Sequence, residues 1–393
     1  MTFVKHYLLI GLFAGMLLGS WVLEGTVLRG KSALFGVVEK KPWPDFELST
    51  VLDGTYQKAA EDSFRQSAPL RTFWIRLFNQ FRLSIFGIWP NENVIVGKDD
   101  YLFEAAYIQD YLRLAPFDVP TINATLKDIV RISSTLEKSG RKLVVVITPS
   151  KADFYPETIP DSFKTGQPIT SKRGYEVLQA GLTNAGIPTF DAANYLWQNK
   201  SEIVGPVYMR SGTHWSWMAV ATATKGFVDY LNQMGLGLPV IETISAKAVW
   251  PPQNPDADLL LLMNTLDFLV REPFRSDTYY YPEVKVSGSG TKSSFFIQGG
   301  SFTENLVRIL SEAKIVSTPY WLANNRIFNE TTKKGDFSKF SELDFHQILQ
   351  AKIIVLEVNR QAAYHMGFGF ISELRNYLDA NPNLPPPGLA NGL

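Results

Sequence analysis

The feature that most constrains the fold is the alternation, from residue 94 onward, of short apolar runs with stretches of helical periodicity. Continuous apolar runs separated by helices are typical of parallel strands, because the crossover helices cover both faces of the sheet. We predict strands at residues 142–148, 294–298, 313–317 and 352–358, and helices at residues 122–139, 171–185, 216–233 and 340–350. This order predicts a doubly wound α/β domain with right-handed crossovers.

The chain divides into four parts by pattern. Residues 1–28 contain an apolar run, residues 29–93 form a helical lead-in that is amphipathic near 63–86, and residues 94–380 carry the α/β pattern. Residues 235–290 have little regular pattern, and we interpret them as an insertion near the carboxyl ends of the strands. The Pro-rich residues 381–393 are predicted to be a flexible tail.

The amino-terminal run extends over residues 6–23, with no formal charge between Lys5 and Glu24. This length is close to the shortest that spans a bilayer as a helix. A cleaved signal peptide is the alternative, but no small-x-small cleavage site follows the run. We therefore predict an uncleaved transmembrane helix with the rest of the chain outside the cytoplasm. Lys5 agrees with this orientation, whereas Arg29 and Lys31 weaken the charge argument.

Composition excludes several classes of function. The 38 basic and 38 acidic residues cancel, so no global field favours nucleic acid. The absence of cysteine excludes disulfides and thiolate metal sites. No phosphate-binding loop, dinucleotide fingerprint or metal motif is found in the sequence. We predict no nucleic-acid partner, no metal and no cofactor.

Ser301 is the first candidate for chemistry. It follows the apolar run Phe295-Phe296-Ile297-Gln298 and two glycines, and it opens a predicted helix. A strand, a glycine turn and a serine at a helix start can present a nucleophilic hydroxyl, with backbone N–H groups nearby to hold an oxyanion. The competing interpretation is a helix-capping box of Ser301 with Glu304.

His214 is the second candidate. It lies in the loop Arg210-Ser211-Gly212-Thr213-His214-Trp215-Ser216, just before a predicted helix. His6, His346 and His365 are not in comparable loops. A lone histidine is more often structural than catalytic, but together with Ser301 it suggests a nucleophile and its base.

Four segments together resemble a known family. They are VIVGKDDYLFE at residues 94–104, PSKADFYPE at residues 149–157, the Thr-His-Trp loop and the later Gly-x-Ser turn. In order and spacing they resemble the alginate O-acetyltransferase family of AlgJ/AlgX type. Asp258-Leu259 and the strand end at residues 357–360 are similar to family features, so the resemblance extends over about residues 94–377.

The resemblance implies a three-layer SGNH-hydrolase-like fold and acyl transfer by a Ser-His-Asp triad onto hydroxyls of an exported polysaccharide. Carried over by position, Ser301 is the nucleophile, His214 the base, and the Gly300 and Ser301 amides are oxyanion candidates. An acetyl-serine intermediate follows from these roles. The family also implies a membrane-bound O-acyltransferase partner and a place in the bacterial inner membrane, single-pass, with the main domain in the periplasm.

One position departs from the family pattern. The family has an aspartate two residues before the histidine, and this chain has Gly212 there. We expect a Ser-His dyad in preference to a relocated acid, for which Asp153 and Asp191 are the candidates near strand ends. Restoring the acid with Gly212→Asp is expected to raise esterase turnover, because the carboxylate orients the imidazole.

Substrate contacts are predicted at four positions, Arg210, Trp215, Asn359 and Arg360, although aromatic residues serve packing more often than sugar binding. Two other functions stay open. A catalytically impaired polymer-binding or assembly subunit is favoured by Gly212, and an acetylesterase would use the same residues with water as acceptor.

Overall fold

The computed structural model describes residues 41–67, 71–114, 117–164, 172–252, 254–266, 274–323, 326–329, 333–336, 340 and 342–387, with 34–36, 7, 10–11, 14–15 and 19 near the amino terminus. The chain forms two compact units. The helical unit comprises Met1–Glu92 and Leu259–Arg275, and the sheet unit comprises Asn93–Asp258 and Ser276–Leu393.

A mainly parallel sheet organises the sheet unit. An antiparallel pair, β1 (Val94–Val96) and β2 (Leu102–Glu104), precedes it along the chain. The strands of the sheet are β3 (Lys142–Thr148), β4 (Thr189–Asp191), β7 (Ser293–Gly299), β8 (Val316–Ala323), β9 (Arg326–Asn329), β10 (Lys333–Asp336) and β11 (Ile353–Asn359). Their order across the sheet is β10-β9-β8-β7-β11-β3-β4. The five strands from β8 to β4 pair in parallel, and β9 and β10 extend one edge in antiparallel fashion.

Helices cover both faces of the sheet. In β3, Val144 and Val146 belong to one apolar core, whereas Leu143, Val145 and Ile147 belong to the other, because successive side chains point to opposite faces. The first core includes α4 (Ala105–Tyr111), α8 (Ala192–Gln198), α9 (Trp217–Gln233) and α11 (Phe302–Glu312). The second includes α5 (Val119–Lys138), α7 (Gly174–Asn184), α12 (Glu342–Ile348) and α13 (Phe370–Ala380). A short α6 (Lys151–Phe154) follows β3. The predicted α/β fold with a parallel sheet is confirmed.

Strands β3, β7 and β11 lie where the sequence predicts them, whereas β8 does not. β3 has the predicted bounds, and β7 and β11 differ from theirs by one residue at each end. The strand predicted at 313–317 instead begins at Val316. Lys314 has a φ of 54° in the turn that ends α11, and this left-handed conformation is incompatible with a strand.

The insertion is more regular than its sequence suggests. β5 (Val240–Val249) pairs antiparallel with β6 (Tyr279–Ser287) along almost their whole length. Between them, α10 (Asp258–Leu262) begins in the sheet unit and continues into the helical unit. The triple tyrosine at residues 279–281 opens β6.

The helical unit contains α1 (Leu48–Leu52), α2 (Thr55–Ser67) and α3 (Arg71–Phe86). The predicted transmembrane segment at 6–23 lies mostly outside the described residues. Within the described part of the chain, no helix has both the length and the apolar character needed to cross a bilayer.

The predicted flexible tail is held at its start. The Pro385 carbonyl accepts a hydrogen bond of 2.9 Å from Arg141 Nη1, and Leu384 packs against the second core. Residues 388–393 lie outside the described residues.

Arg173 joins three helical segments of the sheet unit. It precedes α7, is 4% exposed, pairs with Asp110 and Asp153, and lies over the ring of Tyr175. We predict that Arg173→Met lowers the free energy of unfolding by about 3–5 kcal/mol, because the nearly buried Asp110 loses its paired cation and Asp153 keeps only its longer ion pair with Arg360. The urea unfolding midpoint of the full chain measures this loss.

Arg131→Met is the matched control, since Arg131 pairs with Asp379 through side chains that are 64% and 30% exposed. Removing such a surface pair is expected to cost about 0–1 kcal/mol. Equal losses for the two variants would contradict the role given to Arg173.

Candidate active site

Ser301 lies between the end of β7 at Gly299 and the start of α11 at Phe302. Its backbone is helical, with φ −64° and ψ −22°, and its side chain makes no capping bond to the helix. The hydroxyl instead lies 2.7 Å from His214 Nε2 and is exposed to solvent. The capping-box interpretation is therefore wrong for Ser301.

His214 lies in the loop before α9, and Ser216 caps that helix by accepting a hydrogen bond from the Ala219 amide. The imidazole packs against the Phe302 ring at 4.7 Å and is 16% exposed. Its Nδ1 is hydrogen-bonded to Asp258 Oδ2. The two nitrogens of one imidazole thus contact a hydroxyl on one side and a carboxylate on the other.

Asp258 supplies that carboxylate from the first residue of α10. Its second oxygen accepts a hydrogen bond of 2.7 Å from the Thr213 amide, and the side chain is 7% exposed. The two oxygens are bonded to Thr213 and His214, which are adjacent in one loop. These bonds fix the carboxylate relative to the imidazole. The geometry is that of a Ser-His-Asp triad rather than the Ser-His dyad predicted from sequence.

The two predicted substitute acids do not contact His214. Asp153 pairs with Arg173 and Arg360. Asp191 pairs with Arg360 and caps α8 through the Asn194 amide. Both carboxylates stabilise the packing between helices, so the prediction of a relocated acid at either position is not supported. The sequence signal for the acid was the Asp258-Leu259 pair in the insertion, which resembles a family feature.

Gly212 is enclosed by the chain just before the acid. A Cβ at this position would lie 2.7 Å from the Pro255 carbonyl oxygen and 2.9 Å from that of Asp256. Side-chain atoms do not approach backbone this closely, and backbone cannot easily move away. The segment that delivers Asp258 thus occupies the space in which a side chain at position 212 would stand.

Glu357 changes the oxyanion assignment. It is 1% exposed at the end of β11 and accepts a 2.7 Å hydrogen bond from the Gly300 amide. It also accepts bonds from the hydroxyls of Thr148 and Thr303. Burial raises its pKa, although these bonds lower it in part. Because the Gly300 amide is occupied, the prediction of Gly300 as an oxyanion donor is not supported, and the Ser301 amide is the candidate that remains.

Lys151 holds the loop that leads to His214. It is 1% exposed, and its ammonium lies 2.7 to 3.0 Å from four carbonyl oxygens, those of Leu102, Met209, Arg210 and Gly212. Burial lowers the pKa of Lys151 to about 7, while Asp258 and Asp277 oppose this shift. Sequence analysis did not single out Lys151, because a lysine after a strand gives no sign of being buried.

The four predicted substrate contacts are engaged elsewhere. Arg210 pairs with Asp277, and Arg360 pairs with Asp153 and Asp191.

Trp215 is fully buried against Phe302 and has no surface for a sugar. Asn359 is 6% exposed and donates to the Pro149 carbonyl at 2.6 Å. Burial and ion pairing make Trp215, Asn359 and Arg360 part of the scaffold, and only Arg210 keeps substantial exposure, at 27%.

Charges around the imidazole set its protonation. Burial lowers the pKa of His214, but attraction to Asp258 and the bond with it, with smaller contributions from Glu104 and Glu304, raise the pKa above its ordinary value of 6.5. Burial also raises the pKa of Glu104.

Two residues before Asp258, burial raises the pKa of Asp256 to about 8, despite a bond from the Trp217 amide. Asp256 is therefore mostly neutral near pH 7, unlike a carboxylate paired with histidine.

Comparison with known proteins agrees with this architecture. Residues 94–256 match the family model described as the SGNH hydrolase-like domain of acetyltransferase AlgX. The resemblance to the AlgJ/AlgX-type family is confirmed. The matched residues include His214 and end just before Asp258.

The curated proteins similar to this chain include two that are named probable alginate O-acetylase AlgJ. The protein from Pseudomonas syringae pv. tomato is 29% identical over 57% of this chain and 52% of its own length. The protein from Pseudomonas aeruginosa is 27% identical over 56% of this chain and 50% of its own length. The chain thus spans about half the length of the curated relatives it matches. A solved structure, the O-acetyltransferase domain of Pseudomonas putida AlgJ, is 17% identical with a TM-score of 0.46, over 72% of this chain and 99% of that one.

The enclosure of Gly212 reverses the expectation for Gly212→Asp. We now predict a loss of acetyl-ester turnover of at least about tenfold, because overpacking against backbone displaces the segment that holds the acid. Steady-state kcat/KM of the full chain measures the effect. Gly212→Ala is the companion variant, and it is expected to lose activity too, because the clash begins at Cβ. A gain of turnover with Gly212→Asp would contradict the geometry.

Asp258 and Asp256 allow a paired test of the acid. We predict that Asp258→Asn lowers kcat by about 10³ to 10⁴, as loss of a triad acid does. Asp256→Asn is expected to retain activity within a few fold, because Asp256 is already neutral near pH 7 and an amide oxygen can still accept from Trp217.

The pH profile adds a readout that simple unfolding would not give. His214 acts as a base only when unprotonated, so kcat/KM should fall as pH drops through its raised pKa, with a midpoint above 6.5. In Asp258→Asn the residual activity should have its midpoint at lower pH, since burial then acts without the opposing charge. An unchanged midpoint would refute the pairing.

Proposed function

We propose that this protein is an O-acetyltransferase that acts on an exported polysaccharide, alginate-like or another exopolysaccharide, through an acetyl-serine intermediate. The observation that carries the proposal is the continuous hydrogen-bonded line from Ser301 Oγ through His214 to Asp258. The names of the relatives, which refer to alginate O-acetylation, support the choice of substrate class.

In the first half of the proposed reaction, His214 Nε2 takes the proton of Ser301 as Oγ attacks the acetyl carbonyl carbon. The imidazolium that forms is stabilised by Asp258, whose position is fixed by the Thr213 amide. The Ser301 amide lies at the start of α11 and donates to the developing oxyanion. The leaving group departs with the proton from His214, and the acetyl ester on Ser301 remains.

In the second half, a sugar hydroxyl attacks the acetyl-serine while His214 again serves as the base. The Ser301 Oγ leaves with the proton and the product is an acetylated sugar. Water competes with the sugar hydroxyl at this step, so an acetylesterase is the second candidate and differs only in the acceptor. The solvent exposure of Ser301 favours neither acceptor by itself.

The third candidate, an impaired subunit that binds polymer or assembles a complex, drew its support from Gly212. The position of Asp258 removes that support, because a carboxylate contacts the imidazole despite the glycine.

We further propose a membrane-bound O-acyltransferase as the acetyl source and the periplasmic side of the bacterial inner membrane as the location. Both come from the family resemblance alone.

The test is acetyl-ester turnover and acetyl transfer to polysaccharide by the full chain. Ser301→Ala and His214→Ala are each expected to reduce turnover by at least about 10³, because the nucleophile and base act as one unit. Mass spectrometry of the wild-type chain after brief exposure to an acetyl ester should detect one acetyl group on Ser301.

Ser311→Ala, near the other end of α11, is the control serine and should retain full turnover. Acetylated polymer as the product supports the transferase, whereas acetate alone in the presence of polymer supports the esterase. A folded wild type no faster than Ser301→Ala would contradict both and favour the binding subunit.

A further inference from the structure

The helical unit carries an unusual share of exposed apolar side chains. Among the described residues, fifteen of the large exposed apolar side chains lie in this smaller unit and eight in the sheet unit. Seven of the fifteen lie on α3, where each is 37–63% exposed: Phe73, Trp74, Leu77, Phe78, Phe81, Ile85 and Phe86. Contiguous apolar patches of this kind mark interaction surfaces.

The spacing of five of these residues places them on one side of the helix. Trp74, Leu77, Phe78, Phe81 and Ile85 follow the i, i+3, i+4, i+7, i+11 pattern of a single helical face. We call these five residues the α3 apolar face.

Three polar side chains of α3, those of Arg76, Asn79 and Gln80, lie on the opposite side of the helix. Asn79 donates to the carbonyls of Met263 and Asn264 at 2.9 and 3.2 Å, and Arg76 donates to the Thr265 carbonyl at 3.1 Å. Gln80 is 7% exposed. These bonds within the helical unit fix the rotation of α3, and the α3 apolar face is exposed to solvent.

Charge distinguishes between possible occupants of this face. Arg76 is bonded on the opposite side, so the arginines beside the α3 apolar face are Arg71 and Arg82, and Arg82 lies over the Phe78 ring. The helix contains no acidic residue. The preceding α2, in contrast, contains both signs and exposes only Phe64 among large apolar side chains. A second copy would bring arginines against arginines, whereas anionic headgroups complement them. An apolar face of Trp, Phe and Leu flanked by arginine is the composition of helices that lie in a membrane interface.

We propose that the α3 apolar face lies in the surface of an anionic lipid bilayer. The 16-residue helix lies along the bilayer rather than across it, since it is about 24 Å long against a hydrocarbon core of about 30 Å and contains three arginines. This inference is independent of the acetyl chemistry. Binding of α3 to lipid does not depend on the predicted transmembrane helix at residues 6–23. That helix, if present, belongs to the same unit and would hold the unit near the bilayer.

The absence of cysteine permits a direct test with single-cysteine variants of the full chain. Phe78→Cys and Trp74→Cys report on the α3 apolar face, Lys58→Cys reports on α2 of the same unit, and Ser134→Cys reports on an exposed position of α5. The probe is a water-soluble maleimide, with phosphatidylglycerol vesicles, phosphatidylcholine vesicles, or no lipid.

Binding of the face should slow the maleimide reaction of the Trp74→Cys and Phe78→Cys variants by about tenfold or more with phosphatidylglycerol, because the bilayer excludes the probe. Phosphatidylcholine should slow these two reactions less, since it offers no net negative charge to the arginines. The reaction rates of the Lys58→Cys and Ser134→Cys variants should not change with either lipid.

Three outcomes would overturn the proposal. The first is undiminished reaction of the Phe78→Cys variant with phosphatidylglycerol vesicles, including the case in which the chain does not bind them. The second is equal protection of the Lys58→Cys and Phe78→Cys variants, which would mean that the whole unit is shielded. The third is protection without lipid that grows with protein concentration, which would assign the face to a second copy. Acetyl-ester turnover measured on the same samples separates these outcomes from a failure of the proposed enzyme activity.

Discussion

The loop that carries His214 depends on one buried lysine. The segment from Met209 to Gly212 belongs to neither a strand nor a helix, so its carbonyls lack the partners that regular structure provides. Lys151, at the start of α6, donates to these carbonyls and joins the loop to Leu102 of β2. An uncharged side chain of similar size would remove one donor from each carbonyl, although the Met209 and Arg210 carbonyls would keep bonds from the Gly212 and Leu102 amides. The imidazole of His214 is therefore positioned from the sheet, through a lysine that takes no part in the chemistry.

A buried carboxylate does the same for the turn that carries Ser301. Glu357, at the end of β11, joins the Gly300 amide to Thr148 at the end of the adjacent β3. The carboxyl ends of three neighbouring strands are thus connected below the turn that presents Ser301. This arrangement explains why ligand sites of open α/β sheets form at this edge, since side chains from several strands converge there. It also removes one backbone amide from the set that could bind an oxyanion.

Sequence alone predicted what depends on local pattern. The buried run of β3 and the positions of Ser301 and His214 follow from periodicity and from residues adjacent in the chain. Asp258 was missed as the acid because it is 44 residues from His214, and only the tertiary structure brings them together. Asn359 and Arg360 were misassigned because a polar residue after a strand can equally contact substrate or complete a buried network. The β5–β6 pair was missed because its strands are mostly exposed and lack a continuous apolar run.

The enclosure of Gly212 has a consequence for how such proteins are classified. A chain without the aspartate two residues before the histidine would be counted as a pseudoenzyme by inspection of that motif. Here Gly212 leaves room for the segment at residues 255–256. Asp258 follows that segment, and its carboxylate contacts the imidazole. A side chain at position 212 and the segment before Asp258 cannot occupy the same space, so the glycine and the carboxylate from Asp258 occur together. A missing motif aspartate therefore does not show that the histidine lacks a carboxylate partner, and the three-dimensional contacts of the imidazole must be examined.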